Sequence, residues 1–233
     1  MQRNKTDKLD SYIIATFCRE AKPDTWTPPS DVQRKLRALV RHRDDLIQTR
    51  IQQHNRLSDT ADSAVQLSLR NLLDVIEAQL QFIEQQIKEL LAENEELASK
   101  VGLMTAVVGI GAVTAYKLLA EFYDLERYES AKAVAADAGV TPAQYESGTT
   151  VRRRTRMSKV GKAGVRAALY WPAITAMSHC PAFKQFAARL AARGKAKGVI
   201  IGAVMRKLLH IVYGVLKHKT AYDPNKVLGP AAP

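Results

Sequence analysis

LRNLLDVIEAQLQFIEQQIKELLAENEEL, residues 69–97, carries apolar residues at spacings that alternate between four and three. The repeat consists of Leu69, Leu73, Ile76, Leu80, Ile83, Ile87, Leu90 and Leu97, with Asn94 as one polar core position. This is the spacing of a heptad repeat, and it predicts a long helix with a continuous apolar seam. A mainly α-helical fold is therefore expected.

A second long helix is predicted just before this one. Ser30 followed by Gln33 has the pattern of a capping box, and apolar residues at helical spacing continue to Leu57. The polar break SDTADS at 58–63 then separates the two helices. Two long helices joined by a short break predict an antiparallel coiled-coil hairpin over residues 29–100.

The predicted hairpin allows two interpretations. It is either a spacer that packs on its own chain or an arm that associates with another copy. We favour the arm, and therefore a homo-oligomer, because a seam of Leu and Ile over several heptads offers more apolar surface than one hairpin needs to cover. Asn94 would then fix the register of the pairing.

The charge of the chain is concentrated in its second half. The 233 residues contain 35 Lys and Arg against 23 Asp and Glu, a formal net charge of +12. Residues 1–100 hold 15 basic and 16 acidic residues, whereas residues 101–233 hold 20 basic and 7 acidic ones. The second half is therefore expected to bind phosphates, although a basic surface alone does not distinguish DNA, RNA and anionic lipid.

No membrane span or export signal is expected. The first ten residues are polar, and the longest apolar stretch, 199–216, is interrupted by Arg206, Lys207 and His210. The two cysteines lie far apart and neither has a C-x-x-C neighbour, so neither a zinc site nor a disulfide framework is indicated. A reducing cytoplasm fits this composition.

Glycine turns separate short predicted helices beyond residue 102. Gly109-Ile110-Gly111 stands between two apolar helical stretches, an arrangement that matches a helix-hairpin-helix. The glycines admit a tight turn whose free backbone N–H groups, at a helix N-terminus, can bind a phosphate. The alternative is a tight turn between packed helices with no ligand. A further helix is expected near 131–138, ended by Gly139 as its C-cap.

A serine and a run of basic residues follow. Ser147 lies in QYESG, and TTVRRRTRMS at 149–158 has the composition of a short strand, before a helix that starts near Gly161 or Gly164. The basic residues within reach of the serine are Arg152, Arg153, Arg154, Arg156, Lys159, Lys162 and Arg166. They are either phosphate contacts or, as the plainer alternative, solvated charges beside an ordinary turn serine.

Several segments in order resemble one family. VVGIGAVTAYKLLAEF, AVAADAGVTPAQYESG, RMSKVGKAGVRAALYWPA and the segment from PAFKQF to VYGVL resemble the serine-bearing C-terminal domain of the bridge-RNA-guided recombinases. These insertion-sequence transposases pair that domain with a RuvC-like domain. The resemblance covers nearly all of the chain. It implies DNA recombination, a guide RNA as partner, and a cytoplasmic, nucleoid-associated prokaryotic protein.

The resemblance also assigns residues. Ser147 aligns with the nucleophile that forms a phosphoserine link to DNA, and residues 1–28 with the last helix of the RuvC-like domain. Asp7 and Asp10 match the acidic pair of that domain, which implies Mg²⁺ as cofactor. Their i, i+3 spacing puts both carboxylates on one helix face, as a cation with oxygen ligands requires. Residues 101–233 then form the basic helical transposase domain.

One departure from the family pattern sets the expectation for activity. The RuvC-like domain needs two further acidic residues upstream, and this chain begins shortly before Asp7. We expect an N-terminally incomplete transposase that is inactive alone. The alternative function is a non-catalytic DNA- or RNA-binding fragment that oligomerises with the complete enzyme. A third interpretation, a coiled-coil scaffold with incidental charge, does not explain why the charge is confined to one half.

Overall fold

A computed structural model describes residues 6–23, 25, 27–122, 124–147 and 151–224, without the side chains of 144–147 and 151–154. The described helices are α1 (Asp7–Ala21), α2 (Asp31–Asp59), α3 (Ser63–Ala92), α4 (Glu95–Thr105), α5 (Ala112–Glu121), α6 (Ala131–Asp137), α7 (Ala163–His179), α8 (Pro181–Ala192) and α9 (Lys197–His218), with a 3-10 turn at Leu125–Arg127. Two strands, β1 (Pro142–Ser147) and β2 (Val151–Met157), form an antiparallel ribbon. The prediction of a mainly α fold is confirmed.

Helix α1 lies in a compact unit of its own, residues 1–30. Thr6 caps its start, since the Thr6 hydroxyl accepts a hydrogen bond from the Leu9 N–H at 3.3 Å. Lys22 ends it in the left-handed conformation. None of the residues of α1 is buried, and four large apolar side chains are more than half exposed: Tyr12, Ile13, Ile14 and Phe17.

Helices α2 and α3 form the predicted antiparallel hairpin. Two ion pairs fix their relative direction, Arg43 with Glu84 and Arg50 with Glu77, each at 2.7 Å. From the first pair to the second, the residue number rises by seven in α2 and falls by seven in α3, so the two helices run antiparallel. The Asp62 carboxylate caps α3 by accepting hydrogen bonds from two backbone N–H groups of its first turn. Supercoiling of the pair stays a prediction.

The apolar seam of α3 is covered within this one chain. Its seven residues from Leu69 to Leu90 are all buried. The seam therefore packs on its own chain, as the first interpretation of the hairpin holds, and is not a free surface for a second copy. The continuous seam predicted through Leu97 is wrong, because α3 ends at Ala92 and the extended backbone of Asn94 starts α4. Asn94 donates its side-chain N–H to the Leu90 carbonyl at 2.8 Å instead of setting a register.

Helix α9 is the centre of the core in residues 31–233. Eleven of its residues are buried, among them Val204, Leu208, Leu209 and Val212, and it packs against α4, α6, α7 and α8. By length and composition α9 would suffice to cross a membrane, but 56% of its most apolar window is buried inside the fold. Burial of this kind is typical of the core helix of a globular domain.

The base of the hairpin joins the same core. Leu36 of α2 and Ile87 of α3 belong to the hydrophobic cluster that also contains Leu118 of α5. An ion pair between Lys117 and Asp44, at 2.7 Å, links α5 to α2 at the surface. The domain boundary expected at residue 100 lies inside α4, whereas the compact units divide at Ser30, close to the boundary expected at 28.

Candidate nucleic-acid interface

Ser147 is the last residue of β1. In the register of the ribbon it pairs with Val151, and the neighbouring pair is Glu146 with Arg152. Residues 148–150, between the two strands in sequence, lie outside the described residues, as do the side chains of Ser147 and of Arg152, Arg153 and Arg154. The backbone therefore brings the predicted serine and the three arginines to one end of the ribbon.

The other end of the ribbon is fixed to the core. The Ser158 N–H donates to the Thr141 carbonyl at 2.8 Å and so closes the base of the two strands. Met157 packs on α9 at Gly202, where an added Cβ would lie 2.7 Å from the Met157 methyl carbon. A small residue in the core helix thus provides the space in which the ribbon is anchored.

The ribbon leads into a tight junction between α6 and α7. Gly139 ends α6 with φ of +68°, as predicted for a C-cap glycine. Gly161 has φ of +124°, and an added Cβ would lie well inside van der Waals contact with the Asp137 carbonyl oxygen. The Lys162 N–H donates to that same carbonyl at 2.9 Å. The backbone at Gly161 therefore admits glycine alone.

Lys162 serves this junction rather than the surface. Its ammonium group pairs with the Asp137 carboxylate, which also accepts a hydrogen bond from the Tyr128 hydroxyl, and lies 4.8 Å from the centre of the Phe122 ring. Partial burial favours a higher pKa for Asp137, but the hydrogen bonds from Lys162 and Tyr128 outweigh it and lower that pKa. Burial and the Asp137 carboxylate raise the pKa of Tyr128.

The other basic residues with described side chains either hold this junction or are exposed. Arg166 donates to the carbonyls of Ala138, at 3.0 Å, and Gly161, at 3.3 Å, so it also holds the junction. Arg156 and Lys159 are exposed, and no described carboxylate forms an ion pair with either of them. Among the predicted phosphate contacts with described side chains, these two are thus available to a ligand.

The Gly109 turn lies between α4 and α5. Gly109 has φ of +95°, and an added Cβ would lie 2.5 Å from the Pro172 carbonyl oxygen of α7, so close packing explains this glycine. Gly111 precedes α5 with space around its Cα, and no side chain caps that helix. The first N–H groups of α5 are therefore not taken up by a side-chain cap.

Asp7 and Asp10 both lie in the first turn of α1. Asp7 is exposed and Asp10 is half-buried. Their carboxylates suit Mg²⁺, but within the part of the chain that the structure describes no group of three or more acidic, His or Cys side chains comes together to hold a metal. The pair alone is not a complete metal centre.

Sequence reasoning missed a second basic cluster. Arg206, Lys207 and His210 of α9 were interpreted only as interruptions of an apolar stretch, although basic residues at i, i+1 and i+4 mark one side of a helix. The structure places Arg189 of α8 and Lys132 of α6 near them. That proximity depends on packing between helices distant in sequence.

Comparison with known proteins bears on both halves of the chain. The transposase family described as IS116/IS110/IS902 matches residues 102–188, and an IS110-type DEDD transposase family matches residues 1–65. The pilin gene-inverting protein of Moraxella bovis is 34% identical over 226 residues, which cover 95% of this chain and 69% of that protein. The chain belongs to the IS110 family of transposases. This membership implies that the protein binds DNA and acts in DNA recombination.

Further relatives of this IS110-family chain agree. The pilin gene-inverting protein of Moraxella lacunata is also 34% identical, with the same coverage of both chains. An uncharacterised 43.6 kDa protein of insertion element IS110 from Streptomyces coelicolor is 26% identical over 162 residues, 70% of this chain and 39% of that protein. The family segment at 102–188 contains the ribbon, the α6–α7 junction and the Gly109 turn of the transposase.

Proposed function

We propose that this IS110-family transposase exchanges DNA strands through a covalent phosphoserine link to Ser147. The main support for the proposal is the position of Ser147 at the end of β1, paired with Val151, which directly precedes the three arginines of β2. Positive charge beside a phosphodiester stabilises the charge that develops on its oxygens during attack. Arg156 and Lys159, exposed toward the base of the ribbon, extend this charge.

In the proposed step the Ser147 hydroxyl oxygen bonds to a backbone phosphorus of DNA. The bond from that phosphorus to one deoxyribose oxygen breaks, the serine proton leaves to a base, and the released sugar oxygen takes up a proton. The phosphoserine link keeps the energy of the phosphodiester bond. A second sugar hydroxyl can therefore attack this link, release the serine and reseal the strand without ATP. The N–H groups at the start of α5, beside Gly111, supply a further phosphate contact.

A denaturant-resistant adduct tests the nucleophile. The chain, fused to the upstream acidic segment that the family resemblance implies, is incubated with labelled DNA and Mg²⁺ and run on a denaturing gel. Ser147→Ala should abolish the adduct while leaving DNA binding nearly intact, because several cations hold the phosphate but nothing replaces the serine oxygen. Ser158→Ala, at the base of the same ribbon, is the matched control. An undiminished adduct in Ser147→Ala would show that another residue attacks.

Two partners of the reaction belong to this proposal through the family resemblance. Asp7 and Asp10 would supply two oxygen ligands to Mg²⁺, with the remaining ligands from carboxylates outside α1. A guide RNA would select the DNA. Asp7→Asn with Asp10→Asn should raise the Mg²⁺ concentration needed for adduct formation, and ribonuclease treatment should abolish target selection while leaving binding to duplex DNA.

Self-association is proposed through a different surface from the buried seam. Val65, Leu72, Val75 and Phe82 of α3 are 43%, 42%, 58% and 57% exposed, and their spacings of seven, three and seven are the same in both directions. A second copy in antiparallel orientation would therefore match Val65 with Phe82 and Leu72 with Val75. One face of a hairpin about 45 Å long and about 20 Å wide offers roughly 900 Å², close to the ~800 Å² per partner of a stable interface.

Light scattering tests this interface. Val75→Asp with Phe82→Asp should convert dimers into folded monomers, because two carboxylates would be buried against apolar side chains. Gln81→Asp, exposed elsewhere on α3, is the control. An unmodified chain that is monomeric at micromolar concentration contradicts the proposal.

The second candidate function is a non-catalytic DNA- or RNA-binding fragment that associates with a complete transposase. The observation that favours it is the separation of charges: basic residues are plentiful in residues 101–233, whereas the acidic pair of α1 is incomplete as a metal centre. Binding without any adduct, in both the chain alone and the fused chain, would support this candidate.

A further inference from the structure

Helix α9 has one side that is not fully buried, and basic residues occupy it. Arg206, Lys207 and His210 follow one another within a single turn and are all half-buried. Lys132 of α6 and Arg189 of α8 complete the group from the two helices that flank this side of α9. We call these five residues the α9 cluster.

Within the part of the chain that the structure describes, the α9 cluster has no counter-charge. Nothing among the described residues forms a hydrogen bond with the buried Arg206 Nε or the buried His210 Nε2. Among the described residues, no carboxylate forms an ion pair with any of the five side chains. Buried polar groups in folded proteins are almost always hydrogen-bonded, and an unpaired one costs stability, so the described part of the chain does not itself neutralise the cluster.

The electrostatics of the cluster indicate the charge of its ligand. Burial lowers the pKa of Lys207, and the neighbouring Arg189 lowers it further. Burial lowers the pKa of His210 to about 4, with added repulsion from Arg206, Lys207 and Lys132. Three helices therefore direct unneutralised positive charge at one place, and an anion there would relieve the repulsion.

We propose that the α9 cluster is a second phosphate-binding site, separate from the ribbon, that holds the backbone of a nucleic acid. A phosphate offers several acceptor oxygens, which suit the guanidinium of Arg206 and the ammonium of Lys207. The cations also extend beyond the reach of one ion, since Arg189 and Arg193 line a shallow concavity on α8 together with Phe186. A polyanionic strand fits a row of cations better than a free phosphate does.

The test compares two double variants of the full chain. Arg206→Met with Lys207→Met keeps apolar stems in place and removes two charges from the cluster. Lys88→Met with Arg70→Met removes two charges from exposed positions on α3. Fluorescence anisotropy with a short DNA duplex should show about 10-fold weaker binding for the cluster variant at low salt, and a salt dependence smaller by about two released counterions. The α3 variant should bind as the unmodified chain does.

A thermal readout separates a ligand site from a structural one. Removing unpaired, half-buried cations should raise the melting temperature of the free cluster variant, whereas loss of a structural contact would lower it. Equal DNA affinity in the two double variants overturns the proposal. So does full competition by millimolar inorganic phosphate at constant ionic strength, since the ligand would then be the free ion. Should the cluster variant fail to fold, Lys132→Met with Arg189→Met, both exposed, provides the same test.

Phosphate binding by the α9 cluster is independent of the nucleophile. Ser147→Ala leaves the α9 cluster intact and should bind the duplex as tightly as the unmodified chain. If Ser147→Ala loses the adduct while DNA binding still depends on the α9 cluster, the site is supported. If the adduct forms but binding does not depend on the α9 cluster, the site is refuted and the proposed chemistry is not.

Discussion

Acid should destabilise the free protein through His210. Its pKa is lowered to about 4 in the folded chain, because the side chain is half-buried beside Arg206, Lys207 and Lys132, whereas the ordinary value is 6.5. As pH falls below 6.5, His210 becomes protonated in the unfolded chain, whereas in the folded chain it stays neutral until about pH 4. The contribution of His210 to stability is therefore complete above pH 6.5 and is lost as pH falls toward 4.

The size of the loss follows from the two pKa values. The full difference between 6.5 and about 4 corresponds to about 3 kcal/mol. Solvent screens part of this interaction because the ring is only half-buried, so about 1–2 kcal/mol of unfolding free energy should disappear between pH 7 and pH 4.5. That is a large share of the stability of an ordinary domain.

Urea unfolding at several pH values measures this contribution. His210→Gln removes the titrating group and should lose about 1–2 kcal/mol less than the unmodified chain between pH 7 and pH 4.5. His54→Gln replaces an exposed histidine of α2 and is the matched control. If His210→Gln and the unmodified chain lose the same free energy over this range, the reasoning about the buried ring is wrong.

Three further substitutions test the fold around the candidate site. Gly161→Ala should lower the melting temperature by several degrees, because the new methyl group meets the Asp137 carbonyl, whereas Gly111→Ala has space and should not. Asp137→Asn should cost about 1–3 kcal/mol in chemical unfolding, since Lys162 loses its carboxylate. Ile87→Asp should abolish folding of the hairpin, seen as lost helicity, rather than give folded monomers.

Each of these three predictions has an outcome that would contradict it. A Gly161→Ala protein as stable as Gly111→Ala would mean that the α6–α7 junction is looser than its backbone indicates. An unchanged free energy in Asp137→Asn would show that Lys162 is satisfied elsewhere. Folded, helical monomers of Ile87→Asp would mean that the seam pairs between chains and not within one.

The long helices and strand β2 could be predicted because their signals are local, whereas β1, which ends at Ser147, was not predicted. The three-and-four spacing of α3, the short break before it and Gly139 at the end of α6 each act over one or two turns of chain. The strand composition of 149–158 likewise predicted β2. Such signals need no knowledge of what packs against them.

The partner of the α3 seam could not be predicted, because spacing is the same whether a seam pairs within a chain or between chains. The exposed stripe at Val65, Leu72, Val75 and Phe82 was hidden for a related reason: it becomes visible only once α2 is known to cover the other side of α3. The internal roles of Lys162 and Arg166 were missed similarly, since their partners lie on α6, about 25 residues away.

Charge counting explains why the α9 cluster needs a partner from outside the chain. Residues 101–233 contain 20 basic residues but only 7 acidic ones, and several of those acids already serve other cations. The pairs are Glu121 with Arg41, Asp124 with Arg127, Glu126 with Lys100 and Asp137 with Lys162. Too few carboxylates remain to neutralise the rest, and none of the described ones pairs with Arg206 or Lys207. A ligand with many regularly spaced negative charges would neutralise both the ribbon and the α9 cluster at once.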